Sequence, residues 1–235
     1  MNKYAKIEQT QLNPRYVWQL PVRFYHWINA LVIVVLIITG FIIGDPPAIQ
    51  TASDASSSYW FGTVRFIHFV AAYVFLFNFI MRLYWGFAGN KFARWDNFIP
   101  YSKQHWADMW EVIKVDIFQI KCADNPNLGH NALASFTYFL TFLVFLLQVL
   151  TGFGIYAAMS PSWFPQLFAW VPALLGGGMM TIKIHYILMW FFILFAMVHV
   201  YLVFYHDYIE KNGVTSSMIG GWKFWEKGKV EREQD

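Results

Sequence analysis

The sequence predicts an all-α membrane protein, built as a bundle of four transmembrane helices. Three observations lead to this fold class: the composition, four long apolar segments, and the uneven placement of lysine and arginine. Of the 235 residues, 57% are hydrophobic and only 13% are charged, whereas soluble domains carry about 25% charged residues. A chain of this composition is an integral membrane protein unless another molecule hides its apolar surface.

The apolar segments have the length of transmembrane helices. A helix of about 20 residues crosses the roughly 30 Å hydrocarbon core of a bilayer. The runs lack the alternation of barrel strands, so helices are the remaining way to satisfy their backbone in lipid. We expect a single membrane domain over residues 1–235. Its predicted helices cover residues 24–44, 64–86, 132–157 and 181–208.

The basic residues predict how the helices are oriented. Lysine and arginine cluster before the first segment, from Arg82 at the end of the second segment to the third, and after the fourth. The opposite side carries only Arg65 and Lys183. The positive-inside rule therefore places both termini and the loop at residues 87–131 in the cytoplasm.

That long loop contains a second helical pattern. In "SKQHWADMWEVIKVDIFQI", apolar residues recur at helical spacing along one face. We expect an amphipathic helix on the cytoplasmic leaflet, between helices 2 and 3. A helix packed under the bundle is the alternative.

Cysteine usage and the N-terminus exclude several classes of site. With Cys122 alone, the chain forms no intrachain disulfide and holds no iron–sulfur cluster by itself. It has no CxxCH motif for covalent haem attachment. The polar N-terminus lacks the apolar core of a signal peptide.

Histidines are the candidate functional residues. An ionisable side chain inside a membrane span is costly and is a functional candidate by default, although a single histidine can equally be a packed core residue. Five of the seven histidines lie in or at the ends of the apolar segments: His26, His68, His185, His199 and His206.

These histidines fall into two pairs by depth. With a rise of about 1.5 Å per residue, His68 and His185 lie roughly 6 Å below the outer surface, and His26 and His199 about 27 Å below it. His185 and His199 also share one helix face, since their separation is close to four whole turns. We call His68 and His185 the outer pair, and His26 and His199 the inner pair. His206 shares the face at about 38 Å and is the rival to His199.

Two imidazoles facing each other at two levels suit two b-type haems. A metal cluster would need ligands converging on one point, usually with cysteine or carboxylates. A proton relay would need acidic residues at intermediate depth, and the apolar segments supply none. Each non-covalent haem would take one axial imidazole from each side, leaving no position for a substrate. We therefore expect electron transfer and no catalytic residue.

Weaker features have two interpretations each. The sequence "TGF" occurs at Thr39–Phe41 and again at Thr151–Phe153. Its glycine lets a flat ring, or simply a neighbouring helix, come close. Arg23, Arg65 and Lys183 each precede a histidine by two or three residues. They could pair with haem propionates, or extend towards water from a helix end.

Two blocks carry a resemblance to a known family. "RFYHWINALVIVVLIITGF" and "HYILMWFFILFAMVH" resemble the b-type cytochrome subunit of membrane-bound uptake nickel–iron hydrogenases, and the similarity covers nearly the whole chain. The resemblance implies haems held by His26 with His199 and by His68 with His185. It implies a small iron–sulfur subunit and a large nickel–iron subunit on the outer, periplasmic face of a bacterial inner membrane. Electrons from hydrogen would pass through the haems to a membrane quinone.

Other functions stay open at this stage. The same cytochrome could serve a formate dehydrogenase, and a cofactor-free small transporter is a more distant alternative, although nothing resembles paired discontinuous helices. The chain lacks the cysteines of a nickel–iron centre, so hydrogen would be split in another subunit. Polar residues near the inner level are weak candidates for quinone contacts: Asn29, His206 and Asp207. We expect no nucleic-acid partner.

Overall fold

The computed structural model describes residues 12–47, 59–95, 132–210 and 213–226, together with Trp106 and Trp110. Most of the predicted amphipathic helix lies outside these residues. In chain order the elements are β1 (Leu12–Tyr16), α1 (Leu20–Gly44), α2 (Trp60–Ala88), α3 (Ala132–Ala157), α4 (Trp163–Gln166), α5 (Trp170–Leu174), α6 (Gly178–Glu210), α7 (Val214–Gly220) and β2 (Trp222–Glu226).

Four helices are long and apolar enough to cross a membrane: α1, α2, α3 and α6, with mean hydropathies from 1.8 to 2.5 over their most apolar windows. This confirms the predicted all-α membrane fold with four spans. Helix α6 begins at Gly178, directly after Gly176 and Gly177, whose φ angles are +86° and +103°. Glycine adopts such angles without steric cost, so these residues set where α6 starts.

The chain separates into two compact units. One contains Phe24–Phe87 and Tyr138–His199, which are the central parts of the four long helices. The other contains Met1–Arg23, Ala88–Thr137 and Val200–Asp235. All four histidines of the outer and inner pairs belong to the first unit, which we call the helical unit.

Aromatic side chains join the helices of the helical unit. Phe75 of α2 stacks on Phe145 of α3 at a centroid distance of 4.2 Å. Phe192 of α6 meets Phe145 edge to face at 5.2 Å. Phe41 of α1 meets Trp190 of α6 at 5.6 Å. Lipid gives little hydrophobic drive for helix association, so close packing and ring contacts of this kind hold the bundle together.

The connection between α3 and α6 folds against the end of α3. The Gln166 amide donates to the carbonyls of Ala157 at 2.7 Å and Ser160 at 2.8 Å. Phe168 lies 5.2 Å from Phe153 between ring centroids. The bond to Ala157 satisfies a carbonyl that the end of α3 leaves without a helical partner.

The other unit contains a small sheet that the sequence analysis did not predict. Strands β1 and β2 pair antiparallel, with Leu12 opposite Glu226 and Tyr16 opposite Trp222. The Trp18 indole donates to Ser217 Oγ at 3.1 Å, across 199 residues of sequence. The sheet therefore joins the segments before α1 and after α7.

Candidate functional site

The helices carry the two histidine pairs at matched levels. Measured from the first residues of α2 and α6, His68 and His185 lie about 12 Å and roughly 10 Å along their helices. His26 lies about 27 Å from the last residue of α1, and His199 about 32 Å from the first residue of α6. Each pair therefore matches to within one helical turn. His68 and His185 lie further from the starts of their helices than predicted, because α2 begins four residues earlier and α6 three residues earlier.

The inner pair makes a direct ring contact between α1 and α6. The centroids of His26 and His199 are 6.2 Å apart, and the ring planes are inclined by 54°. His199 also stacks on Phe195 at 5.4 Å. His26 Nδ1 is buried and has no hydrogen-bond partner among the described residues. The rival His206 belongs to the other unit, where its ring contacts Tyr205 at 5.6 Å.

The outer histidines each contact a threonine on a neighbouring helix. His68 Nδ1 of α2 lies 2.8 Å from Thr39 Oγ1 of α1. His185 Nδ1 of α6 lies 2.9 Å from Thr151 Oγ1 of α3. Both threonines are buried, with 7% and 1% of their surface exposed. The amide nitrogen of Gln148, also on α3, lies 3.2 Å from His185 Nε2.

The glycine of each "TGF" sequence lies against a histidine ring. A Cβ on Gly152 would come within 3.0 Å of His185 Cε1. A Cβ on Gly40 would lie 3.7 Å from His68 Cε1 and 3.5 Å from Met189 Sδ. Met189 is one turn after His185 and lies on the same face of α6. This face of α6 is therefore next to Gly40, which also lies beside His68.

The three cations near the histidines have contacts of their own. Arg65 Nη2 donates to Met159 Sδ at 2.8 Å. Arg23 Nη1, in the other unit, donates to the carbonyl of Ile219. Lys183 lines a cavity of about 280 Å³ together with Phe41, Gly44, Asp45, Ile182 and Tyr186.

Asn29, a candidate from the sequence, belongs to a buried polar group beside α1 whose other members were not predicted. Asn78 of α2 donates to Asn29 Oδ1 at 2.8 Å and to the Tyr25 carbonyl at 3.0 Å. Arg82, one turn further, is only 2% exposed and donates from Nε to Tyr138 Oη at 2.5 Å. The spacing of Asn78 and Arg82 could have predicted this group, because an arginine four residues after an asparagine in an apolar run lies on the same helix face. The prediction that Arg82 is one of the cytoplasmic charges did not use this spacing.

No group of three or more metal-ligating side chains occurs within the described part of the chain. His26 and His199 instead meet between α1 and α6, whereas His68 and His185 each contact a threonine of a neighbouring helix. Two facing imidazoles suit a ligand that brings the remaining coordination positions itself. The fold and these contacts define the class: a multi-pass helical membrane protein whose long helices carry histidines in contact with neighbouring helices.

Comparison with known proteins identifies the family. Residues 17–221 match the model of the prokaryotic cytochrome b561 family, so the chain belongs to it. Membership implies haem b and electron transfer within the membrane.

Relatives match over most of their length. A probable Ni/Fe-hydrogenase B-type cytochrome subunit of Cupriavidus necator is 38% identical over 212 residues, 88% of this chain and 86% of the relative. A protein of the same name from Azotobacter vinelandii is 36% identical over 220 residues, 92% and 91% of the two chains. A probable Ni/Fe-hydrogenase 1 B-type cytochrome subunit of Escherichia coli is 31% identical over 229 residues, 93% and 94%. The resemblance stated from the sequence is confirmed.

Proposed function

We propose that this chain carries electrons through the membrane by two b haems, each held between two axial histidines. The outer pair would hold one haem and the inner pair the other. The main support for this proposal is that the ring centroids of His26 and His199 are 6.2 Å apart. Two imidazoles on opposite sides of one metal ion, each at a metal–nitrogen distance of about 2.0 Å, have ring centroids on the order of 6 Å apart.

The surroundings of the histidines support the same assignment. His26 Nδ1 is a buried polar atom without a hydrogen-bond partner in the part of the chain that the structure describes, and buried polar atoms of this kind accompany functional sites. Glycines lie directly beside His68 and His185, and a Cβ on Gly152 would crowd the His185 ring. Neutral imidazole ligands also avoid placing a charge in lipid.

His199 is a better partner for His26 than His206. The ring that α6 places against His26 is that of His199. His206 lies seven residues further along the helix, about 10 Å deeper by the helical rise. We therefore assign the inner haem to His26 and His199.

A haem with two axial histidines supplies a one-electron redox couple and no open iron position for a substrate. The chain's own task is to hold, space and bury the two sites. The stacked rings of Phe75 and Phe145, with Phe192 against them, fill the bundle with apolar surface. A dry, apolar environment of this kind tunes the redox potential of a buried metal site.

We infer that the partners are the small iron–sulfur subunit and the large nickel–iron subunit of a hydrogenase. The names of the relatives support this partnership. The chain would lie in a bacterial inner membrane with both termini in the cytoplasm, as the basic residues suggest, and the hydrogenase subunits would bind on the periplasmic face. A membrane quinone would accept electrons near the inner pair. Hydrogen oxidation releases two electrons and two protons, which balances reduction of a quinone to a quinol.

The test is the visible spectrum and haem content of the full chain purified from membranes. We expect low-spin b-type bands in the reduced-minus-oxidised spectrum and two haems per chain. A colourless chain, as a cofactor-free transporter would be, overturns the proposal. One haem per chain in intact membranes overturns the two-site form. Co-purification with a molybdenum subunit instead of a nickel–iron subunit would favour the formate dehydrogenase alternative.

A further inference from the structure

We propose that Thr39 and Thr151 are positioning residues that fix the tautomer of the outer histidines. Each threonine hydroxyl accepts the Nδ1–H of its histidine, which leaves Nε2 with a lone pair for the haem iron. The inference rests on the proposed function, because the two threonines would orient histidines that are proposed to bind a haem.

The direction of these hydrogen bonds follows from counting protons. Thr39 Oγ1 lies 2.7 Å from the carbonyl of Val35, and Thr151 Oγ1 lies 2.8 Å from the carbonyl of Leu147. Both distances are those of O–H···O hydrogen bonds. A carbonyl can only accept, and a hydroxyl has one proton to donate. Since that proton is committed to the carbonyl, the hydroxyl can only accept from the imidazole.

A second contact supports this tautomer at His185. The amide nitrogen of Gln148 lies 3.2 Å from His185 Nε2. An amide NH₂ group only donates, so the nitrogen that it faces carries a lone pair. The proton of His185 is therefore on Nδ1, where Thr151 accepts it.

The neighbouring glycine completes the arrangement. Cε1 lies between the two ring nitrogens, and it is the atom that a Cβ on Gly152 would approach to 3.0 Å. The corresponding distance at Gly40 and His68 is 3.7 Å. In each "TGF" sequence the threonine contacts one ring nitrogen and the glycine lies beside Cε1, and at Gly152 the missing Cβ is what leaves space for the ring. This accounts for the repeat more specifically than helix packing alone.

The hydrogen bond has a consequence for the haem. An imidazole that donates its second N–H is a more basic ligand, and a more basic ligand stabilises ferric iron more than ferrous iron. Loss of the acceptor should weaken the binding of ferric haem more than the binding of ferrous haem. If the affinity for ferric haem falls tenfold more than that for ferrous haem, the midpoint potential rises by about 59 mV.

The experiment compares isosteric variants of the full chain by redox titration and haem content. Thr39→Val and Thr151→Val keep the side-chain shape but remove the hydroxyl. We expect either variant to raise the potential of one haem by about 59 mV, or to weaken its binding about tenfold, with the other haem unchanged. Thr39→Ser and Thr151→Ser keep the acceptor and should behave like the wild type.

Thr181→Val is the matched control. Thr181 is fully buried one turn before His185, and its hydroxyl donates to the Gly177 carbonyl at 2.9 Å, but among the described residues no hydrogen bond joins it to a histidine. Its replacement should leave both potentials unchanged. An equal shift in Thr181→Val, or valine variants at positions 39 and 151 that titrate like the wild type, would overturn the inference. A wild-type chain without haem would overturn the proposed function as well.

A measurement on the wild type keeps the inference testable if the valine variants do not accumulate. In the reduced, diamagnetic chain with ¹⁵N-labelled histidine, the outer histidines should carry their proton on Nδ1. A proton on Nε2 of either residue would contradict the proposal directly.

Discussion

The outer and inner histidine pairs are built in different ways. Each outer histidine is held by side-chain and backbone features of a neighbouring helix: a hydroxyl at Nδ1 and a glycine beside the ring. The inner histidines are held by ring packing, with His26 Nδ1 buried and unpartnered. His199 is exposed on α6, and no hydrogen bond joins it to another described residue. The outer site is therefore fixed by directional bonds, and the inner site by non-directional contacts.

This difference separates two properties of a haem site. Hydrogen bonds to the second nitrogen set the tautomer and the basicity of the ligand. Packing alone sets position, and it leaves the ring freer to rotate. The outer haem should thus have the more tightly defined potential, and the inner haem should be the more accessible from lipid.

The largest expected effect comes from removing a ligand of either pair. His185→Ala should delete the outer haem and His199→Ala the inner one, because each leaves an iron with a single axial imidazole. Haem content should fall from two to one per chain, and only one component of the redox titration should disappear.

His206→Ala is the control for the ligand variants. It lies on the same helix and should retain both haems. If His206→Ala loses the inner haem and His199→Ala retains it, the inner pair is misassigned. The partner of His26 would then be His206.

The next effect lies within the outer site, at its two glycines. Gly152→Ala would place a Cβ 3.0 Å from the His185 ring, whereas Gly40→Ala would leave 3.7 Å to the His68 ring. Overpacking of this kind costs about 1–3 kcal/mol, so Gly152→Ala should lose outer haem and thermal stability. Gly40→Ala, with ordinary contact distances, should lose little of either. Equal behaviour of the two variants would show that the rings are not confined as described.

Part of this arrangement could be predicted from the sequence, because it depends on local geometry alone. Helix length and apolar composition determine a membrane span whatever its neighbours are. The rise per residue is fixed, so the histidines could be sorted into two levels. Both predictions need no knowledge of which helices touch.

The rest depends on which segments become neighbours. The roles of Thr39 and Thr151 require that α1 meets α2 and that α3 meets α6, which spacing along one chain does not reveal. The β1–β2 sheet pairs five-residue strands from distant parts of the chain. From the sequence, Arg82 is predicted to be a charge at a helix end. In the structure it is buried and contacts Tyr138 of α3.

A smaller effect should appear at the inner site. Phe195 stacks on His199 at 5.4 Å with planes 13° apart, and such pairs contribute about 0.5–1.5 kcal/mol. Phe195→Leu should therefore weaken the inner haem by up to about tenfold and leave the outer haem unchanged. Haem retention during dilution in detergent measures this directly. Phe191→Leu is the control, because the Phe191 ring stacks on Phe195 at 6.3 Å but contacts no histidine ring among the described residues. A loss of outer haem in Phe195→Leu would mean that the two sites are not independent.

The smallest effect, and the one of opposite sign, is expected at Gln148. Its amide nitrogen donates to His185 Nε2 at 3.2 Å, and the same lone pair would bind the iron. Haem binding must then displace a hydrogen bond with a net contribution of about 0.5–1.5 kcal/mol. Gln148→Leu removes that competitor, and it also removes a buried amide oxygen that has no hydrogen-bond partner among the described residues. Outer haem should bind up to about tenfold more tightly, with the hydroxyl at Thr151 still fixing the ring. Weaker binding in this variant would show that Gln148 itself supports the haem, and that the outer histidines depend on more than threonine and glycine.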